Sequence, residues 1–328
     1  MSFIELKNKY NTEVILCTIG ASIVDIKTTD NLGNVSSIIT TPKNKEDFPK
    51  ATSYFGKTIG RTGGRISNSK FILNDVEYTI PSNDPNGLHG GIDSLSYKEF
   101  SYKVREDDDA YICEFSIESP HLESGYPGNL SLDVIYKLYK NENKLTINYL
   151  ATSDMDTLLN LSNHAYFNLN AESGNNILEH SLYINSSKME SIKNAIPSEI
   201  VTCNKLYSFK NPHQIKDYLF DESIINNTNG YDHPYIFDSN SNEQIILFDN
   251  VTKRKLTVST SYPAVVVYTC NYTEDIIMNN NRKQKQYDSI CLECMYLPNS
   301  INSDFINDKK DILRKDKVYN EYISYKFN

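Results

Sequence analysis

The feature that most constrains this chain is a set of apolar residues recurring at every second position. Tyr111, Cys113, Phe115 and Ile117 form one such run, and Leu130, Leu132, Val134, Tyr136 and Leu138 form the next. After a turn near Asn141-Glu142-Asn143, Leu145, Ile147 and Tyr149 continue the period. A period of two places alternate side chains on one face, which describes a half-buried strand. Long strands in succession, joined by short turn signals, are hairpins of an antiparallel sheet.

The remainder of the chain reads the same way. Glu13-Val14-Ile15-Leu16-Cys17, Ser22-Ile23-Val24-Asp25-Ile26-Lys27 and Val35-Ser36-Ser37-Ile38-Ile39-Thr40 are β-runs bounded by Gly20 and the turn Asp30-Asn31-Leu32-Gly33-Asn34. Such a pattern is a meander. Asn74-Asp75 separates Phe71-Ile72-Leu73 from Val76-Glu77-Tyr78-Thr79-Ile80, and suits a two-residue hairpin turn with positive φ. Helical signal is scarce: Pro212 to Leu219 and Phe305 to Leu313 are the best candidates, and Lys43 to Lys50 reads as one short helix or a loop. No fixed-period repeat and no compositional break interrupts the 328 residues. The expectation is a single all-β domain over residues 1–328, two packed antiparallel sheets with few short helices.

Charge narrows the partners. The net charge is −9 with no long basic block, which excludes nucleic acid and anionic membranes as natural partners and is compatible with a neutral polar ligand. Ala264-Val265-Val266-Val267-Tyr268 is the longest apolar run and is far too short to span a bilayer. The N-terminal Met1-Ser2-Phe3-Ile4-Glu5-Leu6-Lys7 lacks an apolar signal core, so a cytoplasmic protein is expected. Six cysteines in that setting read as free thiols. Cys291 and Cys294 have the spacing of a redox or metal pair, but on a strand they point to opposite faces. The Asn-rich stretches read as inflated loops.

Five stretches carry chemistry-bearing residues. In Leu161 to Asn170 a period of two puts Leu161, Ala165, Phe167 and Leu169 on one face, with Asn163 as the exception, and Ser162, His164, Tyr166 and Asn168 on the other. That second face has the make-up of a cleft wall with an imidazole at its centre, although a single strand histidine is more often packing than chemistry. Gly60-Arg61-Thr62-Gly63-Gly64-Arg65-Ile66 lacks the ending of a phosphate loop; it is a glycine turn, or a turn that aims an arginine at sugar or phosphate oxygens. Pro85-Asn86-Gly87-Leu88-His89-Gly90-Gly91 lets backbone come close to a ligand beside a histidine. In Gly230-Tyr231-Asp232-His233-Pro234, the proline starts a new strand and leaves Asp232 at its mouth, where an Asx-turn is the plainer explanation. In the run Ile290 to Pro298, Ile290, Leu292, Cys294 and Tyr296 share a core face, so Glu293 points the other way between Cys291 and Met295. It is either on a solvated face or a carboxylate base with a pKa raised by partial desolvation.

Together these stretches resemble the aldose 1-epimerase family, also called galactose mutarotases. The resemblance rests on Tyr54-Phe55-Gly56 leading to Gly60-Arg61 and Arg65-Ile66, Leu88-His89-Gly90-Gly91, Asn163-His164-Ala165-Tyr166-Phe167-Asn168-Leu169, Gly230-Tyr231-Asp232-His233, Tyr268-Thr269 with Asn271, and Cys291-Leu292-Glu293 with Pro298. They run in the family's order from about residue 5 to the C-terminus. The resemblance implies a large antiparallel β-sandwich, the galactose mutarotase-like supersandwich, with an open cleft for a free hexose. It implies Glu293 as general base and His164 as general acid, with Arg65, His89 and Asp232 contacting substrate; Tyr166, on the same face as His164 by the period of two, is a possible further substrate contact. It implies no cofactor and no metal, and a small-molecule hexose as partner of a monomer or homodimer.

Two positions depart from that pattern. Gly64 stands where the family commonly has Asn, and Val266 stands where a substrate-contacting Gln is expected; both are possible substrate-facing positions that bring no hydrogen-bonding group. The reaction expected is interconversion of α and β anomers of glucose or galactose, which needs one acid and one base on opposite sides of the hemiacetal. Glu near pKa 4.3 and His near 6.5 would serve without extreme shifts. The alternatives are a non-catalytic sugar-binding or regulatory protein on the same fold, or a hexose-6-phosphate 1-epimerase, for which Arg61 and Arg65 are the only phosphate candidates.

Overall fold

The computed structural model describes all 328 residues. Its largest sheet has nine strands in the order Ser101–Glu106, Ala110–Ser119, Leu130–Tyr139, Lys144–Ser153, Val318–Phe327, Lys255–Thr260, Ile245–Phe248, Ser181–Ile184 and His213–Gln214. Every neighbouring pair in it is antiparallel. The alternating residues meet across the strands: Cys113 is opposite Tyr136, Phe115 opposite Val134, and Val134 opposite Tyr149. Directly opposed aromatic and β-branched side chains are the pairs that hold sheets in register.

A second antiparallel sheet has six strands in the order Tyr166–Phe167, Ile290–Met295, Ala264–Tyr268, Asp232–Phe237, Ser186–Lys193 and Ile196–Thr202. Its inward residues, among them Tyr235, Val265, Val267, Leu292 and Cys294, join Val134, Tyr136, Ile147 and Ile323 of the large sheet in a hydrophobic cluster that runs from Ile4 to Phe327. The molecule is therefore an antiparallel β-sandwich, as the period-two pattern requires. Phe3–Lys7, Glu13–Cys17, Ser22–Thr29 and Val35–Ser37 form a separate four-stranded meander. The Asn74-Asp75 turn has φ 51° and 62°, and joins Lys70–Leu73 to Val76–Thr79. No helix is long and apolar enough to cross a membrane.

Local structure departs from expectation in three places, and takes the loop alternative in a fourth. Pro212 to Leu219 is helical only over Lys216–Leu219, because His213–Gln214 pairs with Ser181 and Leu182 at the edge of the large sheet. Phe305 to Leu313 is not helical: Ile312–Leu313 pairs with Thr157–Leu158, and the Asp311 carboxylate accepts from the Ser300 hydroxyl. Lys43 to Lys50 forms turns. A helix at Glu222–Thr228, inside the Asn-rich stretch, was not anticipated; Asp221 caps it by accepting from Ser223 N–H at 3.0 Å, and Asn229 closes it at φ 55°.

Candidate active site

The outward face of the six-stranded sheet forms the floor of a pocket of about 280 Å³, lined by 21 residues. Two cross-strand rows build that floor. In one, Glu293 is opposite Val266 and Val266 opposite Pro234; in the other, Tyr166 is opposite Cys291, Cys291 opposite Tyr268, and Tyr268 opposite Asp232. The residues expected to be catalytic or to face a sugar line this pocket: Gly64, Arg65, His89, His164, Tyr166, Asp232, Val266 and Glu293. Residues separated by more than 200 positions meet there because antiparallel pairing lays their strands side by side.

The Leu161 to Asn170 stretch is not one strand. Ser162–Asn163 pairs with Thr58–Ile59, and Tyr166–Phe167 pairs with Ile290–Cys291, with a break at His164-Ala165. The chain thus hands over from one sheet to another at the imidazole. His164 is fixed there by its backbone, which donates to Lys57 O at 3.0 Å and accepts from Gly56 N–H at 2.8 Å. Of the four residues read as a cleft wall, His164 and Tyr166 line the pocket. Asn168 instead donates to the carbonyls of Asn175 and Asp288, and Ser162 is buried. Asn163, the exception on the core face, is buried and donates to Gly56 O at 2.7 Å.

His164 Nε2 lies 3.4 Å from Glu293 Oε1, and both side chains are nearly inaccessible to water. Glu293 is on no solvated face; all six residues of its strand are buried. Its second oxygen, Oε2, has no partner within the protein. Burial raises the Glu293 carboxyl well above the usual range, assisted by the charge of Asp232 and opposed by Arg65. Burial lowers His164 to about 4. The raised Glu293 is the direction expected of a partly desolvated base, whereas His164 does not keep the near-free value the chemistry was expected to use. The contact distance admits an ion pair, but without solvent to support separated charges the neutral acid and neutral imidazole are favoured, and the pair holds one proton.

Around this pair the walls are aromatic and polar. The His89 ring meets His164 edge-on at 5.2 Å, and Tyr54 packs on both, at 4.8 Å from His89 and 5.9 Å from His164. His89 Nδ1 accepts from Gly64 N–H at 3.1 Å, so the ring proton is on Nε2. His89, His164 and Glu293 offer three ligand-type atoms within 4.8 Å of one another. With Nδ1 of His89 engaged, however, its remaining nitrogen is a donor, which suits an oxygen of a bound molecule and not a cation. Gly90, at φ 91°, permits this close approach: a Cβ there would lie 2.0 Å from Gly60 O.

Arg65 Nη1 lies 3.9 Å from Asp232 Oδ2, and its Nε lies 3.4 Å from Asp84 Oδ1. Burial raises Asp232, with Arg65 pulling it back. Arg61 plays a different part. It is buried, and its guanidinium donates to the carbonyls of Ser119, Pro120, Pro127 and Gly128, so the two arginines of one turn divide into a structural and a pocket-facing residue. Gly64 has φ 73°, and a Cβ there would lie 2.6 Å from Pro298 Cβ, so the proline ring occupies the space a side chain would need. His233 points into the core, where burial lowers it to about 3. Tyr268, Tyr272, Glu274 and Asp84 escaped the sequence reading of the site, Tyr268 although it stands in one of the motifs; only their neighbours in space mark them.

Comparison with known proteins identifies the family. The sequence profile of the aldose 1-epimerase family matches residues 2–326. The chain is 32% identical over 291 residues to an aldose 1-epimerase of Haemophilus influenzae, covering 86% of this chain and 83% of that one. It is 28% identical over 316 residues to the galactose mutarotase of Mus musculus, covering 94% and 89%. Among solved structures, the aldose epimerase homologue of C. elegans superposes with a TM-score of 0.89 at 26% identity, covering 100% of this chain and 98% of that one. The galactose 1-epimerase of Lactobacillus acidophilus superposes at 0.87 and 27% identity, covering 99% and 94%. This chain belongs to the aldose 1-epimerase family and is an isomerase.

Proposed function

We propose that this protein interconverts the α and β anomers of free aldohexoses, glucose or galactose, by opening and reclosing the pyranose ring. The observation that carries the reading is the buried His164–Glu293 pair, 3.4 Å apart at the floor of a hexose-sized pocket. Glu293 takes the proton from the O1 hydroxyl as the C1–O5 bond breaks, and His164 delivers one to O5. Rotation about C1–C2 and reversal of both transfers close the ring on the other face.

The pair's single proton must begin on His164. A bound sugar supplies hydroxyl donors to Glu293 Oε2, which has no partner without it, and hydrogen bonds to a carboxylate favour the anion. The neutral pair then becomes the working ion pair as substrate enters. His89 Nε2–H is placed to donate to the reacting end, while Arg65 and Asp232 bind hydroxyls further along the ring.

Substrate is an uncharged sugar on this reading. Arg65 is the one cationic lysine or arginine lining the pocket, beside the acids Asp232, Glu274 and Glu293, and Arg61 is committed to backbone carbonyls. A phosphorylated hexose would meet net negative charge. The relatives named galactose mutarotase and galactose 1-epimerase support galactose as a substrate. One domain over residues 1–328 suffices, with the pocket complete in a single copy, whether monomer or homodimer. Six free thiols suit a reducing cytoplasm.

The test is polarimetry of freshly dissolved α-D-glucose and α-D-galactose. Approach to the equilibrium rotation should be faster with micromolar protein than in buffer; equal rates would refute the proposal.

A further inference from the structure

Cys291 is absorbed by no role so far. It stands opposite Tyr166 on the strand that carries Glu293, is completely buried, and its Sγ lies 3.5 Å from His164 Nδ1. That is the only side-chain or backbone partner of the His164 ring on the side away from Glu293. His164 exchanges its proton with Glu293 and the sugar at Nε2, so Nδ1 keeps its hydrogen whether the ring is neutral or charged and needs an acceptor in both states. A carboxylate in that place would hold the ring as a cation, and a backbone N–H would force the ring proton onto Nε2 and leave no atom to receive one from Glu293. A thiol sulfur is an acceptor without a charge.

Resting on the proposed acid role of His164, we propose that Cys291 is a positioning residue for it, keeping Nδ1 hydrogen-bonded through the whole proton cycle and so holding Nε2 toward Glu293 and the hemiacetal. In the free protein the thiol is intact, because burial and the Glu293 charge raise it well above its usual range. Nδ1–H donates to Sγ, and Nε2 is free to share the pair's proton with Glu293 Oε1. When substrate moves that proton to His164 it arrives at Nε2, and when Nε2 passes it to O5 the contact of Nδ1–H with Sγ is unchanged. Neither transfer requires the ring to turn. A thiol is a weaker partner than a carboxylate, which leaves His164 poorly stabilised as a cation until the sugar is bound.

Two measurements test this. The first is the ¹⁵N spectrum of His164 in the wild-type protein at neutral pH, with Nδ1 protonated and Nε2 unprotonated expected; a ring protonated on Nε2 alone overturns the proposal without any variant. The second is steady-state kinetics. Cys291→Ala should lower kcat about tenfold, the size of one lost hydrogen bond, with KM nearly unchanged and the pH profile of kcat displaced. Cys291→Ser, a donor and acceptor like the thiol, should restore most of kcat. Unchanged kcat and pH profile in Cys291→Ala, or a loss that Cys291→Ser does not restore, overturns it. If the wild type fails to speed mutarotation at all, the function falls, while the spectrum still decides the Cys291 contact.

Discussion

Glu293 and Glu190 are carboxyls on the outward face of one six-stranded sheet, both withdrawn from water. Glu293 is opposite Val266, and Val266 opposite Pro234; since Met189 pairs with Tyr235, Glu190 follows on the face of Pro234. Burial raises both, Glu190 to about 8. Yet neither oxygen of Glu190 has a partner, and no charged group acts on it, whereas Glu293 has His164 at 3.4 Å and feels both Asp232 and Arg65. Nor does Glu190 line the pocket. A buried acid is thus not in itself a catalytic one. What makes Glu293 a base candidate is a proton partner and an opening through which substrate completes its hydrogen bonds.

The largest expected effect separates the two directly. Glu293→Gln should reduce mutarotation by roughly 10²–10⁴-fold while leaving the melting temperature near that of wild type, and Glu190→Gln should leave the rate within a few-fold. Comparable losses in both would break the distinction. Next comes Arg65, whose charge reaches Glu293 but not Glu190. Arg65→Met should raise KM by about 10–100-fold, the range of a lost charge-assisted hydrogen bond, measured across hexose concentrations at constant pH.

Glu190 has its own signature, in stability and not in rate. Its folded value lies above the unfolded one, so its contribution is fully present below the ordinary carboxylate value of 4.5 and is lost as pH rises toward about 8. Wild type measured against Glu190→Gln should therefore lose about 1.4 kcal/mol of stability per pH unit across that window, in denaturant melts at matched pH. Comparing with the variant cancels the buried His89, His164, His180 and His233, whose lowered values make the protein less stable as pH falls. A difference that does not vary with pH would show that Glu190 has partners after all. The smallest effect is at Val266, between the two acids. Val266→Gln adds an amide to the floor and should change KM by about 2–10-fold, by unequal amounts for glucose and galactose; equal change for both sugars would remove Val266 from any part in selecting them.

Much of this was legible in the chain. Alternation at 111–117, 130–138 and 145–149 gives sheet because period two is a local property of backbone geometry, and the observed pairing of Phe115 with Val134 and of Val134 with Tyr149 follows from it. The site residues were named from ordered motifs, and the fold brings all of them to one pocket. The same local logic explains the failures. Period two carried through Leu161 to Asn170 predicted one strand, but the chain changes sheets at His164, and the partners that force the change, Thr58 and Cys291, are more than 100 residues away in either direction. Phe305 to Leu313 lost its helix for a like reason, to contacts with Thr157–Leu158 and Ser300.

Sequence alone, then, determined the β class and the net negative charge, since these depend on residue type and near-neighbour spacing, while the resemblance carried by its ordered motifs supplied the candidate side chains. Tertiary structure decided what those side chains are worth. It separated Arg61 from Arg65, placed Pro298 where a side chain at Gly64 would go, and removed water from His164 and Glu293. Charge and proton affinity in a buried site depend on every atom within a few ångströms, and those atoms come from distant parts of the chain.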